Sequence, residues 1–317
     1  MAAPPQRRTW TANDYALRLD PQMLGFIDAT NAHYPPDTID ASVMAQRAIY
    51  DRMCTAFRAV RPADVLVEDV LPPSSHPIPL RQYRRHDVVT QVAAVLYLHG
   101  GGLVVGGLDS HDDVCAEICA RTGFRVTAAD YRLLPEHSYA DACDDALAAL
   151  RWLLDESGVP VVVVGDSAGG LLAAMAVQAM RGEARQAAGQ VLIYPGLGGA
   201  DDLSSRIEHA EAPMLTRAEV KAYDALRGVT APTPLGQPDF SGLPPTVVIP
   251  AECDPLCDDA VVYDDAIRQA GGRSVCLIQQ GWVHGGLRAR HAADVARRAF
   301  DVAVDAIEAL GHGRWPY

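Results

Sequence analysis

Four consecutive valines (161–164) stop at Gly165, and an Ala- and Leu-rich stretch begins two residues later, so the segment VVVVGDSAGGLL must turn from strand to helix around one serine, Ser167. Neighbouring backbone comes too close at such a turn for side chains at Gly165 and Gly169. The serine is expected to hold strained dihedrals that lift its hydroxyl clear of the sheet. Any fold offered for this chain has to supply a buried strand that feeds directly into a helix.

The rest of the chain repeats that pattern. Short, mostly apolar runs at 92–98, 124–129, 159–164, 190–194, 246–249 and 274–278 read as strands buried on both faces. Helical periodicity fills the intervals at 109–122, 139–156, 167–181 and 258–270, and 290–310 follows the last strand. Regular alternation of this kind implies right-handed crossovers and a mostly parallel sheet with helices on both sides, an α/β fold. An antiparallel pair at 64–70 and 80–87 is expected at the sheet edge. Two amphipathic helices at 21–32 and 42–60 precede it, the second capped by Asp40 or Ser42. Between 195 and 243 no strand is visible, only a polar stretch and a helix at 216–227 opened by a Thr216–Glu219 capping box. These two pieces have no place in the sheet and are expected to pack together as a lid. The resulting division is 1–62 for the amino-terminal helices, 63–195 for the first part of the core, 196–243 for the insertion and 244–317 for the rest of the core.

Composition narrows the partners. A net charge of −13 with Lys221 as the sole lysine argues against nucleic acid, because neutralising phosphates needs clustered cations. The longest apolar runs are too short to span a bilayer, so no stable membrane insertion is expected. The amino terminus lacks the apolar core of a signal peptide. Seven cysteines without a CxxC pair read as reduced thiols and a cytoplasmic setting. The i, i+4 pairs Cys115/Cys119 and Cys253/Cys257 lack further ligands at zinc spacing, so neither metal nor cofactor is expected.

Directly after the apolar run at 92–98 stands His99 Gly100 Gly101 Gly102. Bare backbone N–H groups there suit an oxygen carrying negative charge, although a purely structural glycine turn reads the same residues. The lysine and hydroxyl of a phosphate loop are missing. HGGG after one strand and GDSAGG after a later one together resemble the hormone-sensitive-lipase family of α/β-hydrolases, in its bacterial esterase branch. DYRLLPEH (130–137), LIYPGL (192–197), AECDPLCDD (251–259) and WVHG (282–285) add to the resemblance, which runs over 64–310.

The resemblance implies a triad in the order serine, acid, histidine: Ser167, Asp254 in the DPL string and His284 in WVHG. It also implies an oxyanion hole from the N–H groups of Gly101, Gly102 and Ala168. Glu252 is the rival acid, while Asp258 and Asp259 are expected to face solvent or a helix terminus. His99 and His137 are expected to shape their own motifs, His111 to sit at a helix-start surface, and Asp166 to brace the neighbouring loop. The activity implied is that of a serine carboxylesterase acting on a small-molecule, short-acyl ester through an acyl-enzyme. An amidase, lactonase or carbamate hydrolase would use the same groups, and a binding protein on this fold is the reading from another class. The family is compatible with a homodimer. Gly286 stands where the family carries a large aromatic, so the pocket is expected to be more open there. The short 227–243 segment points to a less enclosed site.

Overall fold

The computed structural model describes residues 8–35, 38, 41–73 and 77–317. Its main sheet has eight strands among the described residues: β1 (Val65–Val70), β2 (Leu80–Arg85), β3 (Ala94–Leu98), β4 (Arg125–Ala129), β5 (Val161–Asp166), β6 (Gly189–Ile193), β7 (Thr246–Ile249) and β9 (Ser274–Cys276). They lie in the order β1-β2-β4-β3-β5-β6-β7-β9. β2 is antiparallel to both β1 and β4, and the remaining pairs are parallel. The antiparallel edge and the parallel centre are therefore arranged as the apolar runs imply.

Alternate residues of each central strand serve opposite helix layers, which is why these strands are apolar throughout. On β5, Val162 and Val164 face the layer containing Val114 and Ile118 of α4 (Asp112–Thr122) and Phe300 and Ile307 of α10 (Asp294–Gly311). Val161 and Val163 face Leu150 of α5 (Tyr139–Ser157), Leu172 of α6 (Ala168–Ala179) and Ile267 of α9 (Cys257–Gln269). Each of the four valines is fully buried, and each such burial stabilises the fold by about 1.5–3 kcal/mol.

A second, two-stranded sheet escapes sequence reading. β8 (Ala251–Cys253) and β10 (Gln279–Val283) pair in parallel, with Val283 opposite Cys253. Pro250, which has no N–H to give a ladder, ends β7, and the chain re-pairs one step beyond the main sheet. Both segments are too short and too mixed in polarity to announce themselves as strands.

The amino-terminal helices are α1 (Ala12–Arg18), unforeseen, α2 (Pro21–Asn31) and α3 (Val43–Phe57). Ser42 caps α3 through the Ala45 amide; its alternative, Asp40, lies outside the described residues. The insertion after β6 holds α7 (Ser204–Glu208), also unforeseen, and α8 (Arg217–Arg227), which starts at the expected Thr216–Glu219 capping box. The two pieces touch. Trp10 N–H donates to the Glu208 carbonyl at 2.8 Å, Thr9 Oγ1 to the Ile207 carbonyl at 3.0 Å, and the Tyr15 hydroxyl meets His209 Nδ1 at 3.0 Å. Arg206 and Asp259, both buried, anchor the insertion to α9; the carboxylate also accepts the Leu197 and Gly199 amides. Asp259 is thus an internal anchor: of the two places expected of it, solvent or a helix terminus, it lies in the first turn of α9 and is buried. Asp258 accepts the Ser205 amide.

The α-carbon of Gly169 lies against the Leu98 carbonyl at the end of β3, where a methyl group would collide with backbone. Gly158, at the end of α5, has φ +64° and empty space around it. Gly169→Ala is expected to cost more than about 3 kcal/mol in urea unfolding, and Gly158→Ala only about 1 kcal/mol. Equal losses would show that the crossing at Gly169 is not tightly packed.

Candidate active site

Ser167 is the one residue between β5 and α6, at φ 54°, ψ −119°. The strain is local and enforced: Gly165 and Gly169 press on one another, and Gly169 presses on β3, so the chain has no room to relax. The Ser167 amide donates to the Ile193 carbonyl at 2.9 Å, which holds the turn to the end of β6.

The β8–β10 pair sets the other two groups side by side. Asp254 follows the last residue of β8 and His284 the last of β10, so the parallel register delivers both at one level. His284 Nε2 lies 2.8 Å from Ser167 Oγ, and Nδ1 lies 2.7 Å from Asp254 Oδ2. Asp254 is fully buried and its second oxygen accepts the Leu256 amide at 2.8 Å. The ring of Tyr194 packs on His284 at 4.8 Å between centroids. In the chain Asp254 and His284 come after the apolar runs that form β7 and β9, but the structure hangs them from the two short strands beyond. The rival acid, Glu252, points the other way. It accepts from Arg18 Nε at 2.8 Å and from the Gly281 amide at 2.6 Å, tying α1 to the two-stranded sheet.

Gly101 and Gly102 have φ of +132° and +60°. Among the described hydrogen bonds, the amides of Gly101, Gly102 and Ala168 have no acceptor in the protein. Gly102 lies under the ring of Tyr223 from α8, so the insertion reaches over the glycine loop. The loop is fixed from behind by Asp166, whose Oδ1 accepts from Tyr97 Oη at 2.9 Å and from the Gly100 amide at 3.0 Å. His111 Nε2 stands 3.3 Å from the same oxygen, and its Nδ1 lies 2.9 Å from Ser110 Oγ. His111 is buried, so the surface role expected of it is wrong. The segment before α4 turns inward to meet Asp166. Burial would raise the Asp166 carboxyl, but the facing His111 and the Tyr97 hydroxyl outweigh it and hold the group well below the usual carboxylate range.

His99 is buried behind the loop, with its Nδ1 at 2.9 Å from the Gly100 carbonyl and its ring stacked on Tyr131 at 4.3 Å. His137 is exposed at the end of its own motif. At Gly286 a Cβ would stand 2.5 Å from Trp282 Nε1, so the glycine packs directly on that ring. Among the described residues no cluster of three or more His, Cys, Asp or Glu side chains is arranged to hold a metal ion. No helix among them is long and apolar enough to cross a membrane.

Burial, and then the neighbouring His111, push His99 down to about 4. Its unfolded value is about 6.5. Between those values the unfolded chain binds a proton that the folded chain refuses, so stability falls as pH drops from about 6.5 toward 4. The His99 ring resonances are expected to stay unprotonated from pH 8 to pH 5 while the urea midpoint declines. A His99 titration above pH 6 would contradict this.

Comparison with known proteins places the arrangement in context. A family model described as α/β hydrolase fold matches residues 95–288, a span that includes Ser167, Asp254 and His284. The chain is 34% identical to ethyl acetate hydrolase of Pseudomonas putida over 254 residues, covering 74% of this chain and 79% of that one. It is 37% identical to carboxylesterase NlhH of Mycobacterium tuberculosis over 229 residues, covering 66% and 70%. The solved esterase of Pyrobaculum calidifontis superposes with a TM-score of 0.83 at 30% identity, covering 92% of this chain and 99% of that one.

Proposed function

The chain belongs to the α/β-hydrolase fold family, on its hormone-sensitive-lipase side, and from that premise we propose that it is a serine carboxylesterase for small, short-acyl esters. The observation that carries the reading is the continuous chain of hydrogen bonds from Ser167 through His284 to Asp254, facing amides without an acceptor in the glycine loop. The named relatives are an ethyl acetate hydrolase and a carboxylesterase, which supports an ester as substrate.

In this reading Ser167 is the nucleophile. His284 Nε2 takes the hydroxyl proton as Oγ attacks the ester carbonyl, and Asp254, buried at Nδ1, holds the tautomer and stabilises the imidazolium. The tetrahedral oxygen accepts from Gly101, Gly102 and Ala168, each donor worth about 3–4 kcal/mol in the transition state. As the carbon–oxygen bond to the alcohol breaks, His284 returns the proton to the leaving oxygen. Water then repeats the sequence on the acyl-enzyme, releasing the acid and restoring Ser167. The amino-terminal helices with 196–243 form the cap in this proposal, supported by their mutual contacts and by Tyr223 over Gly102. A cytoplasmic setting and a homodimer complete it; seven free cysteines support the first and the family resemblance the second.

Ser167→Ala is expected to lower p-nitrophenyl acetate hydrolysis by about 10⁴-fold or more with the unfolding midpoint retained. A fluorophosphonate should label the wild type once, at Ser167, and leave the variant unlabelled. Near wild-type turnover by pure Ser167→Ala protein would end the nucleophile assignment. Across p-nitrophenyl esters from acetate to decanoate, kcat/KM is expected to peak at or below butyrate. A maximum at the long chains would reject the short-acyl reading.

A further inference from the structure

The turn after His284, Gly286–His291, carries a cation, Arg288, that makes no ion-pair contact among the described residues. Arg288 donates through Nη1 to the Ser110 carbonyl at 2.9 Å and through Nη2 to the Tyr50 hydroxyl at 2.7 Å. Its guanidinium also stacks over the Tyr50 ring at 5.1 Å. These partners are neutral. The other sheltered arginines meet carboxylates: Arg206 meets Asp259, Arg132 meets Asp145, and Arg290 meets Asp113 and Glu117. Among the described residues Arg288 has no carboxylate in ion-pair contact, and the oxygens of nearby Asp166 are committed to Tyr97, Gly100, His111 and Tyr194. Asp166 and Asp113 act on this charge only at a distance, and a sheltered guanidinium held directly by neutral partners alone asks for a reason.

Its place in the fold supplies one. Arg288 is four residues past His284 and bridges α3, through Tyr50, to the turn that follows the glycine loop, through Ser110. Tyr194, whose ring packs on His284, also reaches Asp166 behind the glycine loop. Arg288 is half-buried, held between α3 and the turn after the glycine loop. Its two protein bonds leave the rest of a five-donor planar fork open, and that fork matches a carboxylate. We propose that Arg288 is a specificity residue that anchors a free carboxylate on the substrate, so the preferred esters are acidic ones, such as half-esters of short dicarboxylic acids. The inference rests on the esterase reading and deepens it.

The test compares monoethyl glutarate with ethyl pentanoate, esters of equal acyl length that differ in the terminal carboxylate, followed by pH-stat at pH 7.5. Wild-type kcat/KM is expected to favour the acidic ester at least tenfold, through KM. Arg288→Met should lower that ratio at least tenfold, and Arg288→Lys should retain part of it. A wild-type ratio of one or less, or a ratio unchanged in Arg288→Met, would overturn the proposal. Should Arg288→Met fail to fold, the wild type still decides: glutarate should inhibit p-nitrophenyl acetate hydrolysis competitively with a Ki at least tenfold below that of glutaramide. Equal inhibition constants would reject the anchor while leaving the esterase reading standing. Failure of the wild type to hydrolyse any of the three esters would reject both.

Discussion

The crossing of the β5–α6 turn over the end of β3 is the constraint on which the rest of the site depends. Gly165, Ser167 and Gly169 occupy a space in which an extra methyl group would meet backbone at either glycine. That tightness has two results. It holds Ser167 at a positive φ that an isolated serine would leave at once, and it puts the hydroxyl beside the first residues after β3. Those residues are the glycine loop, so one steric contact positions the Ser167 hydroxyl and the loop amides together. Asp166 then adds a polar tie from the last residue of β5 to Gly100, which couples the two turns so that neither can shift alone.

Asp254 and His284 are placed by a different device. Pro250 ends β7, and the chain beyond it pairs not with the main sheet but with the strand that leads to His284. A parallel pair places corresponding residues at the same height, so Asp254 and His284 emerge as neighbours although 30 residues separate them. The same small sheet sorts the carboxylates. Glu252 lies two positions earlier and faces Arg18, while Asp254 faces His284. Residues two apart on a strand would share a face, so the sorting comes from the end of β8 at Cys253, past which Asp254 meets His284, and from Arg18 and the Gly281 amide, which hold Glu252.

How much of this was legible in the sequence follows from which forces act locally. The central strands were legible because burial on both faces makes them uniformly apolar, and α8 was legible because its capping box is written within four residues. Ser167 and the glycine loop could be read because steric exclusion leaves glycine as its only signature. The β8–β10 pair was not legible: its strands are three and five residues long, and their pairing depends on Pro250 and on contacts distant in sequence. The inward turn of His111 and the burial of Asp259 were missed for a related reason. Each polar side chain is drawn inside by a partner, Asp166 or Arg206, from a remote part of the chain. Polarity alone, without that partner, reads as surface.

Gly286 rests on Trp282 with no room for a Cβ. The turn it opens packs against the core, with Gly286, Leu287, Ala289 and Arg290 buried. Arg288 and His291 reach outward from it, Arg288 to Ser110 and Tyr50 and His291 to Glu117. The glycine and the arginine are thus two parts of one local arrangement: the turn closes on Trp282 at Gly286, and the Arg288 guanidinium takes a position between α3 and the turn after the glycine loop. A charge acting on a ligand at short range would discriminate between ligands of equal size more sharply than an added or missing methylene does.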